Sequence, residues 1–366
     1  MTGRAPVALV HDYLTQRGGA ERVVLAMTET FPDAPLYTSL YEPGDTYPEF
    51  GAREIHTTWL SRVGAVRRHH RLAFPVLAPV MSRFTIDADV AICSSSGWAH
   101  GAHVTGHRIV YCHAPARWLY QRDRYVGDDR ARAAAVAMLG PSLRRWDAHA
   151  AARADRYLVN SSVVAASVRE HYGIEAEVLP PPVMVDVTGA TRAVVGVEPG
   201  AWLCVSRLLA YKNVDAVVAA FARLPRERLV VVGDGPDAES VRAAAPANVR
   251  FVGTVDDDEL RWLYANTRGT VAAAYEDFGL TPLEAAAFGR PSAVLAAGGY
   301  LDTVIDGETG IRFAAPEPDA IAAAVTRMAE ESWDGDRLRA HADRFSLARF
   351  ATRLRDVVTD VTGATT

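Results

Sequence analysis

The chain has 366 residues, of which 49% are hydrophobic, and a formal net charge of −5. This length and composition predict about two domains with sizeable cores, and the negative charge argues against a general nucleic-acid-binding protein. The apolar runs are shorter than the ~18 residues that a membrane-spanning helix needs, and no signal peptide is evident, so we expect a cytoplasmic protein.

Short β-rich runs alternate with helical stretches along the whole chain. The first half contains predicted strands at Val7–Val10, Pro35–Ser39, Arg53–Thr57, Val90–Ser94, Ile109–His113, Tyr157–Asn160 and Glu177–Leu179. The second half contains predicted strands at Leu203–Ser206, Leu229–Gly233, Val249–Gly253, Gly269–Ala273, Ala293–Ala296 and Gly310–Phe313. Helices are predicted between them at Ala20–Phe31, Val163–Tyr172, Val214–Arg223, Asp257–Ala265 and Thr281–Phe288. Such alternation predicts parallel sheets with helices on both faces, and thirteen strands are too many for one ordinary open sheet.

A domain break is predicted near Pro180-Pro181-Pro182. We therefore expect an α/β protein with Rossmann-like domains at residues 1–182 and 183–345, which face each other across a cleft. Residues 183–200 are expected to form a linker plus an edge segment, and residues 346–366 a C-terminal helix that returns to the N-terminal domain. Ligands bind beyond the carboxyl ends of the strands in such sheets, so the cleft is the expected site.

The three cysteines, Cys93, Cys112 and Cys204, each lie inside an apolar run. None has a partner at the spacing of metal ligands. An odd number of buried thiols is typical of a reducing compartment, which supports the cytoplasmic location.

A glycine pair, Gly18-Gly19, precedes the first predicted helix. Two glycines at this point let backbone amides approach an anion at the helix N-terminus. An ordinary tight turn explains the pair equally well, so the pair alone is weak evidence for an anion site.

The segment from Gly233 to Ala238 resembles a dinucleotide fingerprint, with acids at 256–258 roughly 20 residues further on. This pattern suits an NAD-dependent Rossmann oxidoreductase. However, a strand and a helix of the same domain precede it, whereas the fingerprint belongs after the first strand of its unit. The acidic run itself suits a metal ion less well than a helix start, where acids cap the first turn and complement the helix dipole.

The most informative cluster lies between Tyr275 and Ala285 and follows a predicted strand. One interpretation of it is structural. Thr281 caps the next helix, Pro282 is the first helical residue, and Glu284 completes a capping box.

The second interpretation of this cluster is functional. The backbone amides of Phe278, Gly279 and Leu280 at the helix N-terminus suit a phosphate. The flanking carboxylates, Glu276 and Glu284, would repel a phosphate, so they are expected to accept hydrogen bonds from sugar hydroxyls.

Lys212 is the single lysine among 39 basic residues. Arginine and lysine are not interchangeable beside a phosphate, because one has a wide planar fork and the other a compact ammonium. The presence of a lysine at this one position therefore indicates a phosphate contact. The alternative is that the lysine is there by chance, at a solvated helix start.

Together these blocks resemble the retaining glycosyltransferases of family GT4, which have the GT-B fold. The resemblance covers nearly the whole chain, and only the block with Glu276 and Glu284, seven residues between them, is specific by itself. The matching blocks are His11–Val24, Tyr111–Tyr120, Asn160-Ser161-Ser162, Ser206–Asn213, Val231–Pro236, Glu276–Pro291 and the glycine loop at Gly298. Asp302 departs from the pattern, since relatives often carry glutamate there.

The resemblance implies that Arg207 and Lys212 hold the diphosphate of a nucleoside-diphosphate sugar. The amides near Phe278, Gly279 and Leu280, together with Glu276, would contact the donor sugar. Charge that develops on the leaving phosphate can be stabilised by the two cations and the amides without a metal. The sequence has no strong metal-binding DxD motif, so we expect metal-independent transfer with no cofactor.

The resemblance also implies roles for the remaining site residues. Glu284 would bind the ribose hydroxyls and Glu276 the donor sugar. Gly18 and Gly19 would close over the phosphates, and His113 would hydrogen-bond the sugar near the reacting carbon. From the residues alone, a satisfied histidine at a strand end explains His113 equally well.

No residue stands out as a covalent nucleophile. The resemblance implies same-face attack, in which the leaving phosphate takes the proton of the acceptor. The blocks that contain His11 and Glu276 look most like mannosyltransferases that use GDP-mannose, while UDP-sugars stay open. A catalytically silent nucleotide-sugar binding protein is the further alternative, and the intact Arg207, Lys212 and Glu276 argue against it.

A basic and apolar stretch at residues 58–84 bears on the acceptor. No acid lies between Ile55 and Ile86, whereas arginines and histidines lie at Arg62, Arg67, Arg68, Arg71, Arg83, His56, His69 and His70. Such a stretch suits peripheral contact with the inner face of a membrane and a glycan or lipid-linked acceptor of polysaccharide biosynthesis. A helix pair packed on the sheet with a solvated arginine face explains the same pattern.

Overall fold

A computed structural model describes residues 4–68, 74–120 and 130–363 of the chain. The chain forms two compact units. One comprises Met1–Pro182 together with Leu347–Thr366, and the other comprises Val183–Ser346.

The first unit is built on a seven-stranded sheet in which every neighbouring pair is parallel. The strands of the first unit are β1 (Ala5–His11), β2 (Leu36–Thr38), β3 (Ile55–Thr57), β4 (Thr85–Ile86), β5 (Ala88–Ser95), β6 (His103–Val104), β7 (His107–Cys112), β8 (Arg156–Val159) and β9 (Glu177–Val178). The order in the large sheet is β3-β2-β1-β5-β7-β8-β9, and β4 pairs with β6 separately. The chain order reverses between β1 and β5, as in a doubly wound sheet.

The helices of the first unit follow its strands. They are α1 (Gly19–Thr30), α2 (Gly64–Arg68), α3 (Phe74–Ser82), α4 (Arg117–Tyr120), α5 (Arg130–Ala151) and α6 (Ser162–Tyr172). The central strands are buried on both faces, so they read as nearly continuous apolar runs. Ala8 and Val10 of β1 pack with Ala91 of β5 and Val110 of β7 in one core.

The second unit repeats this plan with six parallel strands. Its strands are β10 (Trp202–Val205), β11 (Leu229–Val232), β12 (Val249–Gly253), β13 (Gly269–Ala272), β14 (Ser292–Leu295) and β15 (Gly310–Phe313). Its helices are α7 (Val214–Phe221), α8 (Ala238–Ala243), α9 (Asp257–Asn266), α10 (Leu280–Ala287), α11 (Tyr300–Thr303), α12 (Pro318–Glu330) and α13 (Gly335–Asp343). The strand order is β12-β11-β10-β13-β14-β15, so the reversal falls between β10 and β13.

The last helix, α14 (Leu347–Thr362), belongs to the first unit. It buries Phe350, Leu354 and Val357. The Phe350 ring packs edge-on against Tyr111 of β7, with ring centroids 6.0 Å apart. The side chain of Arg355 donates a hydrogen bond to the carbonyl of Thr30, at the end of α1.

The α/β fold class is confirmed by these two parallel sheets, which contain all thirteen predicted strands. Two short strands, β4 and β6, were not predicted because two residues each are too few to show a pattern. The expected edge segment within residues 183–200 is wrong, since that stretch contributes an isolated bridge at Val183 and no strand. Gly196 and Gly200 adopt positive φ there, which interrupts an extended strand.

The cysteines are buried and unpaired. Burial raises the pKa of the Cys93 and Cys204 thiols to about 12. Across the described residues, no helix is long and apolar enough to cross a bilayer.

Candidate functional site

In the second unit, the predicted donor residues lie at the carboxyl ends of β10 and β13, where the strand order reverses. Lys212 ends a 3-10 turn, Ala210–Lys212, in the loop after β10. Asn213 follows it in a left-handed conformation, with φ 52°. Its side chain donates to the carbonyl of Ala273, at the end of β13, over 2.9 Å. Asn213 therefore ties the loop that carries Lys212 to the strand that leads to Glu276.

The Lys212 ammonium forms an ion pair with the Glu276 carboxylate. The pair is largely covered, because the two side chains are 13% and 24% exposed. The ammonium also lies 5.0 Å from the centre of the Tyr211 ring. A lysine held at this point by a carboxylate and an aromatic face is positioned before any ligand arrives. Arg207, by contrast, is exposed and forms no ion pair with any described residue.

The helix start near these residues differs from the structural interpretation of the sequence. Helix α10 begins at Leu280 with Gly279 as its N-cap, and no side chain caps it. The prediction that Thr281 is the N-cap is therefore wrong, as is the capping box through Glu284. Gly279 adopts φ 88°, a conformation that glycine reaches without strain, so the helix starts two residues earlier. A Cβ at Gly279 would lie 2.4 Å from the Tyr300 ring.

Glu284 has a buried polar partner instead of a cap. Its Oε2 atom accepts a hydrogen bond of 2.7 Å from the hydroxyl of Tyr264, on α9. Glu284 is 8% exposed, and Tyr264 is fully buried and stacked on Phe288, with ring centroids 5.6 Å apart. Tyr264 was missed by the sequence analysis because only its aromatic type, within a helical run, was visible there.

The glycine loop after β14 packs against the loop that holds Glu276. The amide of Gly299 donates to the carbonyl of Glu276 over 2.8 Å. A Cβ at Gly298 would lie 2.3 Å from that same carbonyl oxygen, and one at Gly299 would lie 2.2 Å from Cα of Phe278. These glycines thus allow close approach to the protein's own backbone, which fixes the position of residues 276–278.

Two weaker motifs of the second unit have structural explanations. A Cβ at Gly233 would lie 2.0 Å from the carbonyl oxygen of Ser206, and one at Gly235 would lie 2.2 Å from that of Leu208. The resemblance to a dinucleotide fingerprint thus reflects tight packing between two loops. Asp256 is confirmed as a helix cap, in a capping box with Glu259 at the start of α9. Among the described residues, no group of three or more His, Cys, Asp and Glu side chains could hold a metal ion.

In the first unit, Gly18 is the N-cap of α1 and Gly19 is its first residue. A Cβ at Gly18 would lie 2.5 Å from Oε2 of Glu21, whereas Gly19 faces open space. Glu21 is 1% exposed, and its other carboxylate oxygen accepts a hydrogen bond of 3.0 Å from Gln16. A buried carboxylate therefore lies at the helix start that was predicted to bind phosphate.

His113 directly follows β7 and is 8% exposed. Its Nε2 atom lies 2.8 Å from the hydroxyl of Ser94, and its carbonyl accepts a hydrogen bond of 2.9 Å from Asn160. Burial, with further contributions from the positive charges of His11 and Arg117, lowers the pKa of His113 to about 3. The ring is therefore neutral at ordinary pH.

Asp12, in the first matching block, has a structural function. Its carboxylate accepts hydrogen bonds from the backbone amides of Ser96, Trp98 and Ala99, at distances of 2.5, 2.9 and 2.7 Å. It thereby holds the loop that follows β5. The structure brings Lys212 and Glu276 together, places Glu284 against Tyr264 rather than in a cap, and places Gly18, Gly19 and His113 in the other unit.

Part of the basic stretch at residues 58–84 packs into the first unit. Leu60, Leu77 and Met81 are buried in its core, as in the packed-helix interpretation. Trp59 and Val76 are nevertheless 64% and 52% exposed. The stretch therefore combines core anchors with an exposed apolar surface.

The arginines of this stretch are only partly described. Arg67 pairs with Glu42 over 3.0 Å and donates to the carbonyl of Ser61 over 2.8 Å. Arg71 lies outside the described residues, together with its neighbours His69 and His70 and the side chain of Arg68.

Comparison with known proteins adds a family match for the second unit. Residues 195–345 match the family described as Glycosyl transferases group 1. The chain is 32% identical over 182 residues to a glycogen synthase of Thermus thermophilus. The aligned region covers 48% of this chain and 42% of that protein. It is 31% identical over 238 residues to a D-inositol 3-phosphate glycosyltransferase of Nocardiopsis dassonvillei, which covers 56% of each chain. The chain thus spans about half the length of these relatives.

Solved structures resemble the chain over nearly its whole length. A sucrose-phosphate synthase from Thermosynechococcus elongatus superposes with a TM-score of 0.74 at 19% identity, over 99% of this chain and 100% of that one. Anabaena Alr3699/HepE, in complex with UDP-glucose, superposes with a TM-score of 0.70 at 16% identity, over 97% and 99%. These likenesses confirm the GT-B fold as two Rossmann-like units.

Proposed function

We propose that this protein is a retaining glycosyltransferase that moves a hexose from a nucleoside-diphosphate sugar to a glycan or lipid-linked acceptor. The observation that supports this most strongly is the covered Lys212–Glu276 pair at the strand reversal of the second unit. It lies within the residues that match the glycosyltransferase family. A cation, a carboxylate and a helix N-terminus meet there, which suits a donor that carries both phosphates and hydroxyl groups.

In the proposed reaction, Lys212 and Arg207 stabilise the charge that develops on the leaving diphosphate. The amides of Phe278, Gly279 and Leu280 contribute at the start of α10. An incoming diphosphate replaces Glu276 as the partner of Lys212. The Glu276 carboxylate is then released to accept hydrogen bonds from hydroxyls of the sugar.

Glu284 is proposed to accept hydrogen bonds from the ribose hydroxyls of the donor. Its position against Tyr264 supports this, because a buried carboxylate with a fixed orientation presents one oxygen in a defined direction. Gly18 and Gly19 as phosphate-closing residues, and His113 as a hydrogen-bond donor to the sugar, stay predictions from the sequence resemblance.

We propose GDP-mannose as the first donor to test, on the strength of the blocks around His11 and Glu276. UDP-glucose is the competing donor, because the Anabaena structure contains it. A thermal-shift screen with GDP- and UDP-sugars separates the two. The proposal expects one nucleotide series to raise the melting temperature and the other to leave it unchanged.

We propose that transfer needs no divalent metal and no other cofactor, because cationic side chains and backbone amides can stabilise the leaving group. The test is release of nucleoside diphosphate from the donor in EDTA. Undiminished release supports the proposal. Full loss in EDTA that magnesium or manganese restores would overturn it.

We also propose that the exposed part of residues 58–84 contacts the inner face of a membrane, where a lipid-linked acceptor would lie. The exposed Trp59 and Val76 support this, together with the exposed Arg62 of the same stretch. Replacing both residues by serine should weaken sedimentation with anionic vesicles. Equal sedimentation of both proteins would favour a packed, solvated surface with no membrane contact.

The alternatives find less support. An NAD-dependent oxidoreductase would need the loop at Gly233 and Gly235 to accept a pyrophosphate, whereas these glycines pack against the loop at Ser206–Leu208. A catalytically silent binding protein would keep nucleotide affinity and release no nucleoside diphosphate.

A further inference from the structure

A line of buried polar side chains crosses the carboxyl edge of the first sheet and ends at His113. It consists of Glu21 on α1, His11 at the end of β1, Ser94 on β5 and His113 after β7. His11 and Ser94 face each other in the register of β1 and β5. We call this line the His113 relay.

The first step concerns the proton on His11. Its Nδ1 atom lies 3.1 Å from the carbonyl oxygen of Ser94 and 3.0 Å from the Ser94 hydroxyl oxygen. A carbonyl oxygen can only accept a hydrogen bond, so Nδ1 of His11 carries a proton. The Ser94 hydroxyl oxygen is then a second acceptor for the same N–H.

The second step concerns the hydroxyl proton of Ser94. Within the described residues, the Ser94 hydroxyl lies at hydrogen-bond distance from two ring nitrogens, Nδ1 of His11 and Nε2 of His113. Because His11 donates, the Ser94 hydroxyl has His113 as its acceptor. Nε2 of His113 is therefore unprotonated, and the single proton of this neutral ring lies on Nδ1.

The third step concerns Glu21, which stabilises the donor end of the line. Its Oε1 lies 3.9 Å from Nε2 of His11, and both residues are buried. Burial opposes protonation of His11. The carboxylate of Glu21 outweighs this effect, helped by Asp12 and the Ser94 carbonyl, so the pKa of His11 is raised. The carboxylate thus favours the imidazolium form of His11, in which Nε2–H faces Glu21 while Nδ1–H still donates to Ser94.

We propose that Glu21, His11 and Ser94 are positioning residues that hold His113 as the Nδ1–H tautomer. His113 then presents a neutral N–H donor rather than an acceptor or an imidazolium. The ligand this suits is a group with oxygen lone pairs, such as a sugar hydroxyl or ring oxygen. The identity of that ligand rests on the proposed glycosyl transfer, whereas the tautomer does not.

The test is long-range proton–nitrogen NMR of protein labelled with ¹⁵N-histidine, at about pH 7 and without any ligand. The His113 signals are assigned by their loss in His113→Gln. In the wild type, Nε2 should show the shift of an unprotonated ring nitrogen and Nδ1 that of a protonated one. A proton on Nε2 in the wild type overturns the proposal, and this readout needs no further variant.

Ser94→Ala removes the donor to Nε2 and should lower the ratio of Nδ1–H to Nε2–H tautomers about five-fold, as expected for loss of one hydrogen bond. Ser95→Ala is the matched control, because it removes a neighbouring buried hydroxyl that bonds His100 rather than His113. It should leave the ratio unchanged. An unchanged ratio in Ser94→Ala, or an equal change in both variants, contradicts the relay.

Turnover measurements separate this proposal from the proposed function. If hexose transfer is detected, Ser94→Ala should lower kcat about five-fold and leave the affinity for nucleoside diphosphate unchanged. If no donor is ever turned over, the proposed function fails while the NMR result still decides the tautomer. If the wild-type tautomer ratio is as predicted but kcat is unchanged in Ser94→Ala, the His113 relay exists and has no role in transfer.

Discussion

At the scale of single residues, the two glutamates proposed for the site are held in different ways. Glu276 forms an ion pair with Lys212, for which an anionic ligand can compete. Glu284 instead accepts a hydrogen bond from the buried hydroxyl of Tyr264. Under the proposed function, the Lys212–Glu276 pair opens when a diphosphate binds. The Glu284–Tyr264 contact is shielded from solvent, since Tyr264 is fully buried and stacked on Phe288.

We predict that Tyr264→Phe weakens the binding of the donor nucleoside diphosphate about five-fold, because Glu284 loses the hydrogen bond that orients it. Isothermal titration measures the effect. A 2′,3′-dideoxy nucleotide should bind the variant and the wild type equally, since it has no ribose hydroxyls for Glu284. Tyr157→Phe, which alters a buried tyrosine of the first unit, is the control. An equal loss of affinity for both nucleotides would show that Tyr264 contributes to packing alone and does not orient Glu284.

His113 provides a prediction on pH. Its pKa falls from an ordinary value of 6.5 to about 3 in the folded protein, through burial and the nearby His11 and Arg117. Between these values the unfolded chain binds a proton that the folded chain does not. The free energy of unfolding is therefore fully retained above pH 6.5 and decreases as the pH falls below it.

We accordingly predict that the free energy of unfolding falls between pH 6.5 and 5 in both proteins, and that the fall is about 1.5 kcal/mol smaller in His113→Gln than in the wild type. Urea unfolding at each pH measures it. His11 has the opposite linkage, with stability lost as the pH rises through its raised pKa, and its contribution is common to both proteins. The exposed His103→Gln serves as control. Parallel pH curves for His113→Gln and the wild type would show that His113 is not held neutral by burial.

Sequence patterns identified the residue types of the proposed site but not their hydrogen-bond partners. Glu276, Glu284 and Lys212 follow predicted strands, which made them visible. Tyr264 is 20 residues from Glu284, whereas Ser94 is 83 residues from His11 and Trp98 is 86 residues from Asp12. The pairs of His11 and Asp12 form only when β1 and β5 bring their carboxyl ends together, and the pair of Glu284 forms only when α9 packs beside α10. One sequence does not specify either arrangement.

At the scale of elements, the start of α10 shows how one glycine changes a helix boundary. The Thr281-Pro282 pair is a strong helix-start pattern. Gly279, at φ 88°, nevertheless begins the helix earlier and turns the chain next to Glu276. The pattern was misleading because a residue that tolerates positive φ lay two positions upstream.

We predict that Gly279→Ala lowers the stability of the protein and its nucleotide affinity together. A Cβ at this residue combines strained φ with a 2.4 Å contact to the Tyr300 ring, so the loop must shift. Gly253→Ala is the control, since Gly253 has φ 72° and no atom within 4 Å of the added Cβ. That variant should show the backbone strain, about 1–2 kcal/mol, without loss of affinity. Equal affinity in both variants would separate the start of α10 from the donor site.

At the scale of the whole molecule, two units repeat one plan, each a parallel sheet whose strand order reverses once, near residues that the sequence analysis proposed for the site. The strands were predictable because their faces are covered and their apolar runs are continuous. The order of the strands within each sheet was not, since it depends on which crossovers pack together. The last helix is a separate case, because α14 adds its buried face to the first unit after the chain has completed the second.

We predict that Leu354→Ala destabilises the first unit, because this α14 side chain is fully buried and its removal leaves a cavity worth about 2–5 kcal/mol. Hydrogen exchange followed by mass spectrometry locates the effect. Exchange should increase in β5 and β7 and stay unchanged in β10 and β13. The exposed Thr352→Ala on the same helix is the control. Increased exchange confined to the second unit would contradict this assignment of α14.

The central claim is that the strand reversal of the second unit binds a nucleoside-diphosphate sugar through Lys212. The most direct measurement is isothermal titration of GDP-mannose and UDP-glucose into the wild type and into Lys212→Ala. Arg223→Ala, which removes a cation from an exposed ion pair of the same unit, is the matched control. We predict that one of the two sugars binds the wild type and the control equally, and binds Lys212→Ala at least about tenfold more weakly. Equal affinity for Lys212→Ala, or no binding of either sugar to the wild type, would contradict the account.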